Sequence, residues 1–236
     1  MQYEGKRLRH ELKYYMNYDT YYVLRERLKN VIRKDPNMTN ESGYLISSIY
    51  LDDRYHSAVE EKIAGTRFRK KFRIRSYDRD DRLIRLECKS KYQEYIAKTS
   101  VRFSQDEYAQ LLNGCYDFLM ERPEELCREL FCYNRTKGMR PVVVVEYLRE
   151  AYISAMGNVR ITFDKDISSS VGTLDLFAPD YITRKVLPND LMILEVKYHD
   201  YLPTFIRSVL QTTSADKCAI SKYVMCRDQK RKVQFI

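Results

Sequence analysis

The chain has no tryptophan, and its 236 residues include only seven glycines, six prolines and three histidines. So little Gly and Pro excludes collagen-like and low-complexity architectures. With 44% hydrophobic and 32% charged residues, the composition is that of a folded chain rather than a disordered one. No apolar run approaches 18 residues, so no segment reads as a membrane span. Met1 to Arg9 is charged and no apolar stretch follows, so no secretory signal is expected. The six cysteines contain no C-x-x-C pair. They read as reduced thiols, mostly small buried hydrophobes, in a cytoplasmic protein. His10, His56 and His199 lack the spacing of a zinc site. There is no internal repeat.

What is abundant is positive charge and tyrosine. Lys and Arg number 42 against 33 Asp and Glu, a formal charge of +9, and there are 21 tyrosines. That balance points to an anionic partner: nucleic acid, membrane surface, nucleotide or phosphate polymer. The length suits a single domain spanning 1–236.

Residues 67 to 91 organise the rest. Arg67, Arg69, Lys71, Arg73 and Arg75 alternate with other residues, and in a strand a period of two puts all five on one face. Phe68, Phe72 and Ile74 fall on the other. After a turn at Asp78-Arg79-Asp80-Asp81, Arg85, Glu87, Lys89 and Lys91 line one face, and Ile84, Leu86 and Cys88 the other. This predicts a hairpin with one apolar and one cationic side.

The pattern recurs along the chain. Residues 7–16 read as a strand, with Arg9, Glu11 and Lys13 opposite Leu8, Leu12, Tyr14 and Met16. A helix capped at Asn17 or Asp19 then runs to about Lys34, with Tyr22, Leu24, Leu28, Val31 and Ile32 as its apolar stripe. Strand 44–52 carries Ser48, Tyr50 and Asp52 on one side, and a short helical piece is expected near 54–63. Strand 95–103 carries Lys98, Ser100 and Arg102. Ser104 and Glu107 form a capping box for the next helix, and a second helix is expected over 116–131, with Pro123 near a break. Strand 141–150 and strand 158–165 flank a turn at Gly157-Asn158. The segment 166–190 is polar and turn-rich. Strand 191–198 places Glu195 and Lys197 together. Pro203 opens a helix to about Ser214, and the chain closes on Ser221-Lys222-Tyr223 and a basic tail.

Roughly eight antiparallel strands with few helices predict an α+β fold. Alternating ionic residues on one strand are ordinary for a wet sheet face. A face carrying five like charges, spaced about 7 Å apart, is not. If helices cover the apolar sides, the ionic sides can converge inside a barrel holding a polyanion and a divalent metal. A nucleic-acid surface is the rival, but Glu11, Glu87, Glu146 and Glu195 beside the cations disfavour it. No nucleic acid is therefore expected.

These residues resemble a known family. The motifs ELKYY (11–15), SSIYLDD (47–53) with Tyr55, FRIRSY (72–77), LECKSK (86–91) and AKTSVRF (97–103) occur in order. VVVEYLREAY (143–152), VRITFD (159–164), LEVKY (194–198) and SKY (221–223) follow. Together they are similar to the catalytic domain of the vacuolar transporter chaperone (VTC) polyphosphate polymerases. These belong to the triphosphate tunnel metalloenzyme, or CYTH-like, superfamily. The resemblance implies an eight-stranded antiparallel β-barrel tunnel with flanking helices. It also implies a transferase that moves the γ-phosphoryl group of ATP onto a growing inorganic polyphosphate chain. By motif match, Lys13, Arg73, Arg75, Lys89, Lys98, Arg149, Arg160 and Lys222 would contact phosphates. Tyr50, Arg102, Lys197 and Ser221 would support the substrate. Glu195, with Glu87 and Glu11 as further candidates, would hold Mn2+ or Mg2+. HELKY shares Glu11 and Lys13 with the ExExK signature of other tunnel enzymes without completing it. A metal-dependent triphosphatase or polyphosphatase, or a non-catalytic polyphosphate-binding module, therefore stays open as an alternative. The inositol-phosphate-binding regulatory domain and the membrane segment of eukaryotic relatives are not in this sequence, which leaves room for a membrane-protein partner.

Overall fold

In the computed structural model, which describes residues 2–3, 5–38, 40–179, 181–211 and 218–233, eight principal strands alternate with six α-helices. They are β1 (His10–Asn17), α1 (Tyr18–Lys29), β2 (Tyr44–Asp52), α2 (Ser57–Ile63), β3 (Phe68–Tyr77), β4 (Asp80–Tyr92) and β5 (Tyr95–Phe103). There follow α3 (Gln105–Leu112), α4 (Glu125–Lys137), β6 (Arg140–Ser154), β7 (Val159–Val171), β8 (Leu191–Tyr198), α5 (Thr204–Leu210) and α6 (Lys222–Val233). The sheet order is β1-β8-β7-β6-β2-β3-β4-β5, so the fold is α+β. The expected closed barrel is corrected in one respect. Among the described residues the hydrogen-bonded path is open, with β1 and β5 as its ends. Both end strands lead within one residue into a helix, which takes over the next backbone hydrogen bonds.

The contacts divide the chain into two compact units. The first comprises Met1–Leu45, Tyr147–Ile167 and Leu187–Ser221; the second comprises Ile46–Glu146, Ser168–Val186 and Lys222–Ile236. Strands β6 and β7 run through both.

In the second unit, Phe72, Ile74, Leu86, Cys88, Val101 and Phe103 join Leu111, Leu119, Leu126 and Leu130 in one core. The period of two thus seats α3 and α4 on the apolar side of β3–β5 and leaves the other side ionic. In the first unit, Ile161, Phe163, Leu194 and Val196 pack with Leu24, Leu28 and Ile206, covered by α1 and α5.

Local signals explain most boundaries. Asn17 Oδ1 accepts from the Thr20 amide at 2.9 Å and starts α1. Ser104 and Glu107 form the expected capping box. Asp78 and Arg79 both have positive φ (51° and 53°), and Tyr77 pairs with Asp80, which gives a tight two-residue hairpin inside the expected four-residue turn. An arginine in that conformation is strained, and Arg79 offsets this by donating to the buried Glu146 carboxylate at 2.9 and 3.1 Å.

Several boundaries differ from expectation. Helix α1 stops at Lys29 rather than Lys34, and it buries Tyr21, Leu24 and Leu28 while Tyr22 and Val31 are exposed. The expected break near Pro123 separates a 3-10 turn (Asp117–Met120) from α4, and α4 runs on past residue 131 to Lys137, where Gly138 caps it in the left-handed region. Strand β7 continues to Val171 and pairs there with a short strand, Ile182–Lys185, inside the segment expected to be turn-rich. The SKY segment opens a helix, α6. Of the helix expected after Pro203, residues 212–214 lie outside the described residues.

The tyrosines serve the core. Tyr21 and Tyr152 donate to Glu150 (2.6 Å each), Tyr108 to Asp175 (2.8 Å) and Tyr181 to Glu146 (2.6 Å). Each fills apolar space while its hydroxyl satisfies a carboxylate.

Candidate functional site

The ionic face of the second unit centres on Glu87, which is fully buried. Its Oε2 accepts from Arg73 Nε and Nη2 at 2.8 and 2.7 Å, and its Oε1 accepts from Lys98 Nζ at 2.6 Å. Arg75 Nη1 lies 3.8 Å from Oε2. The register builds this directly, because Arg73 faces Glu87 and Glu87 faces Ser100 across β3, β4 and β5. Burial alone would raise the Glu87 carboxyl, but Arg73, Arg75 and Lys98 hold it well below the usual carboxylate range.

Tyr50 and Ser48 on β2 complete this face. Tyr50 Oη accepts from Arg73 Nη1 at 3.0 Å, and Arg75 Nε donates to Ser48 Oγ at 3.1 Å. The phenol of Tyr50 is buried, which opposes ionisation, yet Arg73, Arg75 and Lys222 bring it below its ordinary value. Tyr223 stacks on Tyr50 with ring centroids 5.0 Å apart, and its hydroxyl donates to Asp52. This contact docks the first turn of α6, where Lys222 sits buried.

Like charges occupy the neighbouring rows. Lys71 faces Lys89, which faces Lys98; Arg75 faces Arg85, which faces Arg102. Directly opposed like charges destabilise a sheet. Such rows are what a polyanion site requires.

The first unit carries a second ionic face. On β7, β8 and β1, Thr162 faces Glu195 and Glu195 faces Lys13, while Arg160 faces Lys197 and Lys197 faces Glu11. The buried Arg149 of β6 donates to both oxygens of Asp164 (2.6 and 2.7 Å) and to Glu195 Oε2 (3.1 Å). Lys197 Nζ lies 3.1 Å from Glu195 Oε2, Lys13 Nζ 3.2 Å from Glu11 and 3.9 Å from Glu195. Burial opposes the charge of Arg149, but Asp164, Tyr147 and Glu195 keep it charged. Burial also pushes the Lys197 ammonium well below its ordinary value despite Glu195. A glycine is required beside Arg149: Gly43 has φ +107°, and a Cβ there would collide with the Arg149 carbonyl oxygen.

Of the residues singled out from sequence, the second unit brings Tyr50, Arg73, Arg75, Glu87 and Lys98 together, with Lys222 acting on Tyr50 and Lys89 in the adjacent row. The first unit brings Glu11, Lys13, Arg149, Glu195 and Lys197 together. Three stand apart. Arg160 is held by the buried Asp35 at 2.5 Å and by Tyr44 Oη at 2.9 Å. Arg102 is exposed and donates to the Arg82 carbonyl at 2.8 Å. Ser221 is half-buried just before α6.

Sequence reading missed Asp164, Asp35 and Tyr223 as site residues. Asp164 had a signal, since its period places it on the face of Arg160 and Thr162. Asp35 sits in a loop that periodicity does not reach.

For a divalent metal, no group of three His, Cys, Asp or Glu side chains gathers among the described residues. Both Glu87 oxygens already serve cations, which fits a counter-ion. Both Asp164 oxygens likewise serve Arg149, which leaves Glu195 as the carboxylate that could hold a metal whose shell substrate phosphates fill.

The fold is shared with solved structures. The PH1819 protein from Pyrococcus horikoshii OT3 is 16% identical, with a TM-score of 0.50 over 94% of this chain and 99% of that one. A "putative adenylate cyclase" from Bacillus halodurans is 13% identical, with a TM-score of 0.53 over 92% and 95%. Another so described, from Vibrio parahaemolyticus, is 12% identical, with a TM-score of 0.52 over 93% and 98%. These likenesses show a shared fold. The profile of the VTC domain matches residues 8–229, and the chain belongs to the VTC domain family. Among curated proteins no sequence matches. No helix among the described residues is long and apolar enough to cross a membrane.

Proposed function

We propose that the chain is a metal-dependent polyphosphate polymerase that transfers the γ-phosphoryl group of ATP to the end of an inorganic polyphosphate chain. The observation that carries this reading is the Glu87 cluster. One buried carboxylate holds Arg73 and Lys98, with Arg75 at 3.8 Å, on a face whose adjoining rows are purely cationic. Such a face is short of negative charge, and membership of the VTC domain family supports a phosphate chain as the source.

In this reading Arg73, Arg75, Lys89, Lys98 and Lys222 bind phosphate oxygens and fix their orientation. Phosphoryl transfer asks little covalent chemistry of a protein, and catalysis comes from alignment and charge neutralisation. A terminal phosphate oxygen of the acceptor forms a new bond to the γ-phosphorus while the bond to the β-bridging oxygen breaks and ADP leaves. The acceptor oxygen is already ionised, so no side chain has to remove a proton. On the first unit, Glu195 is the residue that would hold Mn2+ or Mg2+, an ion that neutralises charge on phosphate oxygens. Arg149 orients Glu195 for that role and Asp164 orients Arg149.

Arg73→Ala and Lys222→Ala are each expected to lower ATP turnover at least about ten-fold, the scale of one lost charge contact in a transition state, while circular dichroism stays unchanged. Normal kinetics in either variant would remove the assignment. Release of phosphate without polymer would indicate a triphosphatase built on the same residues.

A further inference from the structure

We propose that Arg69 and Lys91 form a second polyphosphate subsite that holds the chain several phosphates away from the Arg73–Glu87 row, with Lys71 and Lys89 on the path between them. This deepens the reading above and rests on it for the identity of the anion.

Arg69 on β3 faces Lys91 on β4, and the next row pairs Lys71 with Lys89. Directly opposed, Arg69 and Lys91 cost stability in the empty protein, and an anion lying along their row would offset that cost. Burial and the neighbouring Arg69 both lower the Lys91 ammonium from its ordinary value, and burial likewise lowers the Arg69 guanidinium. Glu61 acts on Arg69 and Glu94 on Lys91, but neither forms an ion pair with them among the described residues. Arg69 Nη1 donates to the Thr66 carbonyl at 2.6 Å. A carbonyl fixes the guanidinium without cancelling its charge.

Exposure changes steadily along β3. Arg75 is buried, Arg73, Lys71 and Arg69 are half-buried, and Arg67 is exposed. The cationic face therefore leads from an enclosed end towards solvent. From Arg75 to Arg69 the strand rises about 20 Å, room for several phosphates in line.

A single-stranded nucleic acid is the less fitting occupant. Such binding interleaves cations with aromatic rings for the bases. Here Phe68 and Tyr92 pair with each other on the opposite side of the hairpin (ring centroids 6.3 Å), and the ring beside Lys71 on this path, Tyr223 at 5.4 Å from its Nζ, is buried and already stacked on Tyr50.

The test is calorimetric titration of the full chain with tripolyphosphate and with long-chain polyphosphate, comparing wild type with Arg69→Ala/Lys91→Ala. Long-chain affinity is expected to fall about ten-fold or more, and its logarithmic salt dependence to become shallower by one to two units, roughly one per lost phosphate contact. Tripolyphosphate affinity is expected to stay the same. With ATP, initial turnover is expected to be unchanged and the products shorter. Equal weakening for both ligands, or none for either, would overturn the subsite, as would a larger loss for single-stranded DNA than for polyphosphate. Long-chain binding that depends on the pair in a protein that makes no polymer would sustain the subsite and remove the polymerase reading. Polymer of normal length from the variant would remove the subsite alone. If the double variant does not fold, Arg69→Gln at its half-exposed position serves the same comparisons.

Discussion

Glu87→Gln is expected to lower the unfolding free energy by about 3–5 kcal/mol, the scale of leaving buried charges without their partner. The glutamine keeps the volume of the side chain and loses its charge. It leaves Arg73 and Lys98, both bonded to the carboxylate, and Arg75 repelling one another on one face. Two readouts separate this from ordinary core damage. Added tripolyphosphate should restore more stability to the variant than to the wild type, because the anion replaces the missing charge. The pH dependence should also change. Glu87 is held below its ordinary value near 4.5. Its contribution is therefore full above that value and is lost as pH falls below it. Denaturant unfolding from pH 7 to pH 3 should show a steeper loss in the wild type than in the variant. Parallel curves, or stability unaffected by the substitution, would contradict the role of Glu87 as counter-ion.

Arg149→Leu should be at least as damaging, by about 3–5 kcal/mol. The buried Arg149 neutralises Asp164 and part of Glu195, and both carboxylates are almost fully buried. Without the guanidinium, Asp164 loses the cation that bonds both of its oxygens, and its carboxyl should rise above its unfolded value. A raised carboxyl stabilises the fold at low pH and loses that contribution as pH rises. The variant should thus become less stable from pH 4 to pH 7, over the range where the wild type holds or gains. Arg149→Lys keeps a charge but loses the two-pronged geometry, so it should fall between the two. A variant as stable as the wild type at pH 7 would show that Arg149 is not the centre of that face.

Most of the sheet was legible in the sequence, because alternation is a strong signal. Five basic residues at a period of two placed Arg73 and Arg75 on one face of β3, and the same argument placed Glu87 and Lys89 on β4. Helix ends were less legible where they depend on tertiary contacts. Nothing local distinguishes the stop of α1 at Lys29 from one at Lys34, whereas the break near Pro123 was legible because proline interrupts a helix. The site was legible residue by residue but not as pairs. That Glu87 serves Arg73 and Lys98, and that Arg149 serves Asp164, depends on register between strands, which periodicity leaves open. Asp35 shows the same limit: its grip on Arg160 joins a loop to a strand far along the chain.

The most direct test of the central claim is to incubate the full chain with ATP and Mn2+ and to separate the products by gel electrophoresis with polyphosphate staining. The account predicts inorganic chains that lengthen with time, with one ADP formed for each phosphoryl group added. Free phosphate without chains, or binding of ATP without turnover, would contradict it.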